Sequence, residues 1–263
     1  MSFSGALLSP ASSLGRVVMT FVQECGAISL FFMTFIRHTL GFSSMHGQFA
    51  KQAEFVGWQS LPIVLLTAFF TGGVLALQSY AGFDNAVLAG GQVPKVVALS
   101  MLRELGPVLG ALMVASRVGS AMAAELGTMR VTEQIDALYT LAVNPFKYLV
   151  MPRILACMTM LPLLVILANL VGIVGGYLVS VHILGLSGHM YTQNAYAAIG
   201  NEDVILGLVK AVIFGAIIGL MATFHGYKAG NGAAGVGMAT TRAVVYAAVA
   251  ILISDYFITA WFV

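Results

Sequence analysis

Residues 154–184 read ILACMTMLPLLVILANLVGIVGGYLVSVHIL, and this stretch decides the fold class. It contains no Asp, Glu, Lys or Arg. Because the hydrocarbon core of a bilayer is about 30 Å thick, a helix needs about 20 predominantly apolar residues to cross it. The stretch meets that requirement and is predicted to form a transmembrane helix.

The composition of the whole chain indicates the same class. Of its 263 residues, 59% are hydrophobic and only 8% are charged, and the mean hydropathy is +0.95. A soluble domain usually carries about a quarter charged residues, so an ordinary soluble protein is excluded. The net charge of +2 supplies no basic field that could hold a nucleic acid.

Other stretches of the chain could also cross a membrane. Three of them are strongly apolar: Leu61–Tyr80, Val204–Phe224 and Ala243–Val263. A further stretch, Val96–Leu126, is apolar and rich in small residues but contains Arg103, Glu104 and Arg117. Gly-x-x-x-Gly motifs at 106–110, 172–176 and 215–219 favour close packing of helices. We predict an all-α integral membrane protein with about five transmembrane helices.

The N-terminal segment differs from these stretches. Val17–Ile36 is apolar, but Glu24 interrupts it and arginines lie at both of its ends. Charged flanks and an internal glutamate suit the headgroup plane better than hydrocarbon, so we favour an interfacial helix, with a spanning helix as the alternative. The chain is accordingly divided into an N-terminal interfacial segment, residues 1–58, and a transmembrane domain, residues 59–263.

The cationic residues alternate between the predicted loops. They fall before the first span, between the second and third, and between the fourth and fifth: Arg16, Arg37, Lys51, Arg130, Lys147, Arg153, Lys228 and Arg242. The intervening segments 81–94 and 185–203 contain no Lys or Arg. By the positive-inside rule, the N-terminus and the basic loops are predicted to be cytoplasmic.

Charged side chains within the predicted spans indicate a site. Arg103 and Glu104 are about 100° apart on one helix, so at least one needs a partner from elsewhere. Lys210 is predicted at a similar depth, and Pro107 leaves the carbonyl of Arg103 without its helical hydrogen bond. Two cations and one anion leave a positive remainder that suits a phosphate or carboxylate headgroup. The alternative is an ion pair that only locks helices together.

Other polar side chains of the spans are expected to have structural or anchoring roles. Gln78 and Tyr80 either contribute to the same cavity or anchor the first span at the interface, and we favour the anchor. Arg117 lies on a similar face to Arg103 but near the cytoplasmic end, where we expect a structural role.

The loop between the second and third spans, residues 122–153, is predicted to be helical. Val131, Ile135 and Leu138 recur at helical spacing and indicate a short amphipathic helix. Asn144-Pro145 is typical of an N-cap followed by proline, which starts a second short helix. Such a loop either binds a cytoplasmic partner or lies on headgroups, and the pattern leaves both open.

Ordered motifs in these regions resemble a known family. They are LRELGPVL at 102–109, AELGTMRVTEQIDAL at 124–138, NP at 144–145, MPR at 151–153 and ATTRAVV at 239–245, with Lys210 and Asp255. Together they resemble the MlaE/YrbE permease family, from about Leu61 to the C-terminus. The first fifty or so residues carry no comparable motif.

The resemblance implies the multi-pass permease subunit of an ABC transporter in a bacterial inner membrane. Such a transporter moves phospholipid between that membrane and an extracytoplasmic lipid carrier of the MCE type, for outer-membrane lipid homeostasis. Two copies of the permease pair with two ATPase subunits, which bind ATP and Mg, so no cofactor is expected in this chain. The implied lipid cavity comprises Arg103, Glu104, Lys210, Leu75, Gln78 and Tyr80. The implied ATPase-coupling helix, Glu125–Leu138, offers Glu125, Met129, Arg130, Glu133, Gln134 and Asp136.

Several other activities lack their motifs. The sequence contains no G-x-x-x-x-G-K-[ST], and the G-x-G-x-x-G at 230–235 follows a membrane span rather than a β-strand. Cys25 and Cys157 have no spacing suited to a metal, and neither H-E-x-x-H nor G-x-S-x-G occurs, so no enzyme is expected. Two alternatives remain: an ion-coupled secondary transporter, which the missing inverted repeat disfavours, and a non-transporting scaffold.

Overall fold

The computed structural model describes residues 4–39, 46–83, 85–230 and 232–262. Their α-helices are α1 (Ser4–Thr39), α2 (His46–Ala81), α3 (Ala86–Ser100), α4 (Gly106–Val114), α5 (Ser120–Val131), α6 (Gln134–Thr140), α7 (Met151–His182), α8 (Gly188–Ala198), α9 (Asn201–Tyr227) and α10 (Gly232–Phe262). Three π-helical segments join some of them: Met101–Leu105, Ala115–Gly119 and Phe146–Val150. The all-α prediction is confirmed.

Five helices are long and apolar enough to cross a membrane, as predicted. They are Gly47–Ala81, Leu88–Val131, Phe146–His182, Asn201–Tyr227 and Gly232–Phe262, here called spans 1 to 5. The spans end alternately at two ends of the bundle. We call the end with residues 82–85 and α8 the distal end, and the end with residues 132–145 and 228–230 the proximal end.

The N-terminal helix belongs to a separate unit. Residues 1–44 form one compact unit and residues 45–263 another. The predicted helix over Val17–Ile36 is present as part of the longer α1, which is not among the five candidate spans. Its position in the interface stays a prediction. The predicted boundary after residue 58 falls inside α2, which runs without a break from His46 to Ala81. The predicted division into an interfacial segment and a transmembrane domain stays a prediction.

The distal end is more helical than the sequence indicated. Segment 81–94 was expected as a loop, but α3 begins at Ala86 and leaves only residues 82–85 between α2 and α3. The segment 185–203 likewise contains α8. The two helices pack together, with Tyr191 and Ala195 of α8 buried against Ala98 of α3. This contact gives the apolar residues of α3 a partner outside the spans.

Glycines bring the backbones of the spans together. A Cβ on Gly72 of α2 would collide with the carbonyl oxygen of Gly172 on α7. On α9, a Cβ at Gly215 would lie 2.5 Å from the carbonyl oxygen of Cys157, and one at Gly219 would lie 2.7 Å from Cα of Ile154. The packing role predicted for the motifs at 172–176 and 215–219 is confirmed, since any larger side chain at these positions would separate α7 from its neighbours.

The predicted coupling helix Glu125–Leu138 is two helices. α5 ends at Val131 and α6 begins at Gln134, and between them Glu133 adopts a left-handed conformation with φ of 59°. That conformation ends the helical path and lets the chain turn, so Val131 and Leu138 lie on different helices.

The second helix predicted for this loop is the beginning of span 3. The side-chain oxygen of Asn144 accepts a hydrogen bond from the backbone N–H of Phe146 at 3.0 Å, which confirms the N-cap. From Phe146 the chain stays helical through the third π-helical segment into α7. Pro152, which has no N–H to donate, lies at the junction between the π-helical segment and α7, and the helix continues past it.

Candidate functional site

A buried lysine joins three spans. The side chain of Lys210, on α9, is completely buried. Its Nζ lies 2.6 Å from Oε2 of Glu104, in the first π-helical segment, and 2.7 Å from Oδ1 of Asp255, on α10. A charge removed from water is costly unless it is paired, so these two carboxylates keep the ammonium in place.

The backbone of the first π-helical segment completes the lysine site. Pro107 has no N–H, and Lys210 Nζ donates a hydrogen bond to the carbonyl oxygen of Arg103, four residues earlier, at 3.0 Å. The N–H of Gly106 reaches the carbonyl of Met101, a five-residue step that widens the turn. The carbonyl predicted to be open is therefore filled by a side chain of the protein.

Glu104 is fixed from two sides. Besides the contact of Oε2 with Lys210, its Oε1 accepts a hydrogen bond from the hydroxyl of Thr259 at 3.2 Å. The same hydroxyl lies 2.9 Å from the carbonyl oxygen of Asp255, so its single O–H is shared between the two acceptors. Span 5 thus supplies both a second anion for Lys210 and a donor for Glu104.

Arg103 points to a different partner. Its Nε lies 3.6 Å from Oδ1 of Asp203, near the start of α9. With Lys210, Glu104 and Asp255, the group has two cations and three carboxylates, so the predicted positive remainder is wrong. Sequence reasoning omitted both aspartates from the charge count, although Asp255 is the single charged residue of the predicted span Ala243–Val263.

An open cavity of about 440 Å³ lies beside the same π-helical segment. It is lined by Phe70, Thr71, Val74, Leu75, Gln78 and Leu105. Two of the predicted cavity residues, Leu75 and Gln78, are in this lining. Tyr80 instead packs against the main hydrophobic core. Arg103, Glu104 and Lys210 are outside the lining, and their contact with a ligand stays a prediction.

A second groove lies next to this cavity along span 1. It has a volume of about 500 Å³, an apolar surface, and the lining Phe69, Phe70, Gly73, Val74, Leu77, Leu178, Val179, His182 and Ile183. Phe70 and Val74 line both spaces. The distal half of span 1 therefore offers apolar surface to two neighbouring spaces, which suits hydrocarbon chains.

The predicted coupling residues surround the break between α5 and α6. Glu133, Gln134 and Asp136 are exposed. Arg130 donates to Asp136 at 2.7 Å and closes the turn, while Gln134 donates to the hydroxyl of Thr132 at 3.0 Å. Contact of these residues with an ATPase stays a prediction.

The other two predicted coupling residues make contacts inside the protein. Met129 packs against a small proximal core. The carboxylate of Glu125 pairs with Arg153 at 2.9 Å. Sequence reasoning missed Arg153 as a site residue, although MPR at 151–153 places a cation at the start of a long apolar span.

Arg117 has the structural environment that was expected. It lies in the second π-helical segment, and its guanidinium donates to the backbone carbonyl of Gln59 and, at 3.4 Å, to the side-chain oxygen of the same residue. These contacts tie span 2 to span 1 without involving the lysine site.

These features define a multi-pass helical membrane protein with an ion cluster shared by three spans. The chain matches the family described as permease MlaE over residues 49–261, and it belongs to that family. A probable ABC transporter permease protein of Rickettsia felis is 47% identical over 256 residues, covering 97% of this chain and 98% of that protein. The intermembrane phospholipid transport system permease protein MlaE of Haemophilus influenzae is 38% identical over 253 residues and 95% of each chain. The chloroplast protein trigalactosyldiacylglycerol 1 of Arabidopsis thaliana is 38% identical over 212 residues, which are 81% of this chain and 60% of that protein.

Proposed function

We propose that this protein is the membrane-embedded subunit of an ABC transporter that moves phospholipid between a bacterial inner membrane and an extracytoplasmic MCE-type lipid carrier. The observation that carries the proposal is the family match over residues 49–261 together with the similarity to a relative named for intermembrane phospholipid transport. The role served would be outer-membrane lipid homeostasis.

The two spaces beside span 1 support a lipid as the transported molecule. Their linings are almost wholly apolar, and Gln78 and Thr71 supply the polar groups on the side that faces Leu105. A pocket with apolar walls and few polar groups suits a molecule with long hydrocarbon chains and one polar end. In this proposal the acyl chains lie along Phe70, Val74 and Leu75, and the headgroup lies towards Gln78.

The lysine site has a conformational role in this proposal. Lys210 is buried and satisfied, so it reaches a headgroup only if spans 2, 4 and 5 move apart. Two copies of the chain would enclose the cavity between them. ATP binding at a partner ATPase pair would change the enclosed volume and expel or reorient the lipid.

The break between α5 and α6 is the proposed ATPase contact. Glu133, Gln134 and Asp136 are exposed there, and the positive-inside rule places this proximal end in the cytoplasm. ATP and Mg would be bound by the partner, because this chain has no G-x-x-x-x-G-K-[ST] motif. The N-terminus would also be cytoplasmic.

Native mass spectrometry of the gently solubilised complex is the first test. We expect two copies of this chain with two ATPase chains and bound phospholipid. The same complex in liposomes should then move a labelled phospholipid only when ATP is supplied. Movement without the ATPase would favour an ion-coupled carrier, and an assembly with neither ATPase nor lipid would favour a scaffold.

A further inference from the structure

The proximal end has a hydrophobic core of its own. Leu126 of α5, Ile135 of α6 and Leu149 of the third π-helical segment are buried together, with Met129, Leu138 and Tyr227 packed around them. This group, here called the proximal core, is distinct from the main core that the spans share. The proximal core therefore holds α6 against the ends of spans 2 and 3.

Arg153 lies where this core meets span 3. Its side chain is only 4% exposed, although it is a charged residue in the first turn of α7. One guanidinium nitrogen, Nη2, lies 2.9 Å from Oε2 of Glu125 on α5. The other, Nη1, donates at 2.8 Å to the carbonyl of Leu149. One planar group thus joins α5, the third π-helical segment and α7.

Only the contact with Glu125 crosses between spans, because Leu149 lies four residues before Arg153 on the same span 3. The two helices joined by the ion pair have different main neighbours. α5 packs chiefly against α9 and α10, whereas α7 packs chiefly against α2 and α9. The guanidinium is a rigid fork, so a displacement of Glu125 or of the Leu149 carbonyl shifts the whole group. Leu149 belongs to the proximal core, and so does Leu126, the neighbour of Glu125. A movement of α6 is therefore expected to displace both acceptors of Arg153.

Burial makes the link difficult to replace. Nε of Arg153 has no hydrogen-bond acceptor among the residues that the structure describes, so the charge depends on the two Nη contacts. Losing either contact would leave a buried charge with poor compensation, which proteins avoid. Glu125, by contrast, is 53% exposed and can lose its side chain without opening the core.

We propose that Arg153 is a positioning residue that transmits movement of α5 and α6 to span 3 through its ion pair with Glu125, while its hydrogen bond to the Leu149 carbonyl fixes the guanidinium at the start of that span. This inference rests on the proposed transport function. It differs from a direct contact of Glu125 with the ATPase, because it assigns the coupling to a buried partner that no other subunit can touch.

The test uses the complete complex with its ATPase, in liposomes that contain a labelled phospholipid. Arg153→Lys keeps the charge but cannot hold both acceptors in the geometry of a guanidinium. Glu125→Ala removes the anion and leaves the buried Arg153 guanidinium with the Leu149 carbonyl alone, so folding and assembly of this variant are measured before its transport is scored. The matched control is Arg242→Lys, at an exposed arginine of α10.

We expect both test variants to assemble and hydrolyse ATP, while phospholipid moved per ATP falls about fivefold or more. The double variant should be no worse than the singles, since each breaks one shared link. Equal lipid movement per ATP in all assembled variants would overturn the inference. So would a Glu125→Ala defect that comes only from lost ATPase binding while Arg153→Lys behaves as the unchanged protein.

Hydrogen exchange provides a readout that needs no lipid. In the unchanged complex, ATP should alter the exchange of α6 and of the first turns of α7 together. In the two variants the change should stay confined to α6. A response of α7 that persists in the variants would overturn the inference, whatever the transported molecule is. Absence of ATP-driven lipid movement in the unchanged complex would instead contradict the proposed function.

Discussion

The protein buries two cationic side chains within the described residues, and they are stabilised differently. Lys210 lies between three spans and contacts two carboxylates and one carbonyl. Arg153 lies at the proximal end and contacts one carboxylate and one carbonyl. The lysine site joins the spans to one another, whereas the arginine site joins the spans to the proximal core.

The two sites also differ in how many N–H groups of the cation have an acceptor. An ammonium has three N–H groups, and Lys210 donates hydrogen bonds to Glu104 and to the Arg103 carbonyl and also pairs with Asp255. A guanidinium has five, and the Nε group of Arg153 has no acceptor among the described residues. We infer that Lys210 is held by contacts from three directions, whereas the buried charge of Arg153 depends on its two Nη contacts alone.

Replacing Lys210 by methionine should have the largest effect. The substitution keeps the length of the side chain but leaves Glu104 and Asp255 facing each other without a cation. Breaking a buried pair by removing one partner costs about 3–5 kcal/mol, so we expect the free energy of unfolding to fall by that amount. Denaturant unfolding in mixed micelles measures it. Lys51→Met, at an exposed lysine of α2, is the control and should change little. An equally small effect of Lys210→Met and Lys51→Met would refute the stabilising role of the lysine site.

Replacing Arg153 by methionine should cost less. Only Glu125 is left without its cation, and its carboxylate is 53% exposed and can be hydrated. The lost hydrogen bonds of a charged group correspond to about 1.5–3 kcal/mol. The same unfolding measurement, with Arg242→Met as the exposed control, should rank this variant below Lys210→Met. The reverse order would show that the proximal core depends on its ion pair more than the spans depend on theirs.

The sequence predicts the spans well because each is a long apolar stretch, and bilayer thickness sets its length. It also predicts Lys210 near Arg103 and Glu104, because depth along a helix follows from residue count. The aspartates were missed because the rotation of each span about its axis decides which carboxylate reaches Lys210 or Arg103, and residue count does not give rotation. The break at Glu133 was missed for a similar reason, since helical periodicity continues across it while the backbone does not.

The two carboxylates of the lysine site can be separated by neutralising one. Glu104→Gln keeps an acceptor for Thr259 and leaves Asp255 to balance Lys210. We expect a loss of about 0.5–1.5 kcal/mol, the net contribution of one hydrogen bond. Asp255→Asn should cost a similar amount, and the double variant should exceed the sum of the singles, because Lys210 then has no anion within contact. Additive losses in this double-mutant cycle would mean that the carboxylates act independently.

The smallest effect on stability should come from the exposed edge of the proximal end. Glu133 adopts a left-handed backbone conformation, with φ of 59°, that glycine adopts without steric cost. Glu133→Gly relieves that cost but adds flexibility to the unfolded chain, so we expect a net change within about 0.5 kcal/mol. Because the fold is unaffected, any loss of ATP-driven phospholipid movement in the assembled complex reports the side chain alone. A marked drop in stability would mean that the carboxylate holds the turn. Normal movement at normal stability would remove Glu133 from the ATPase contact and leave Arg153 as the route by which α6 acts on the spans.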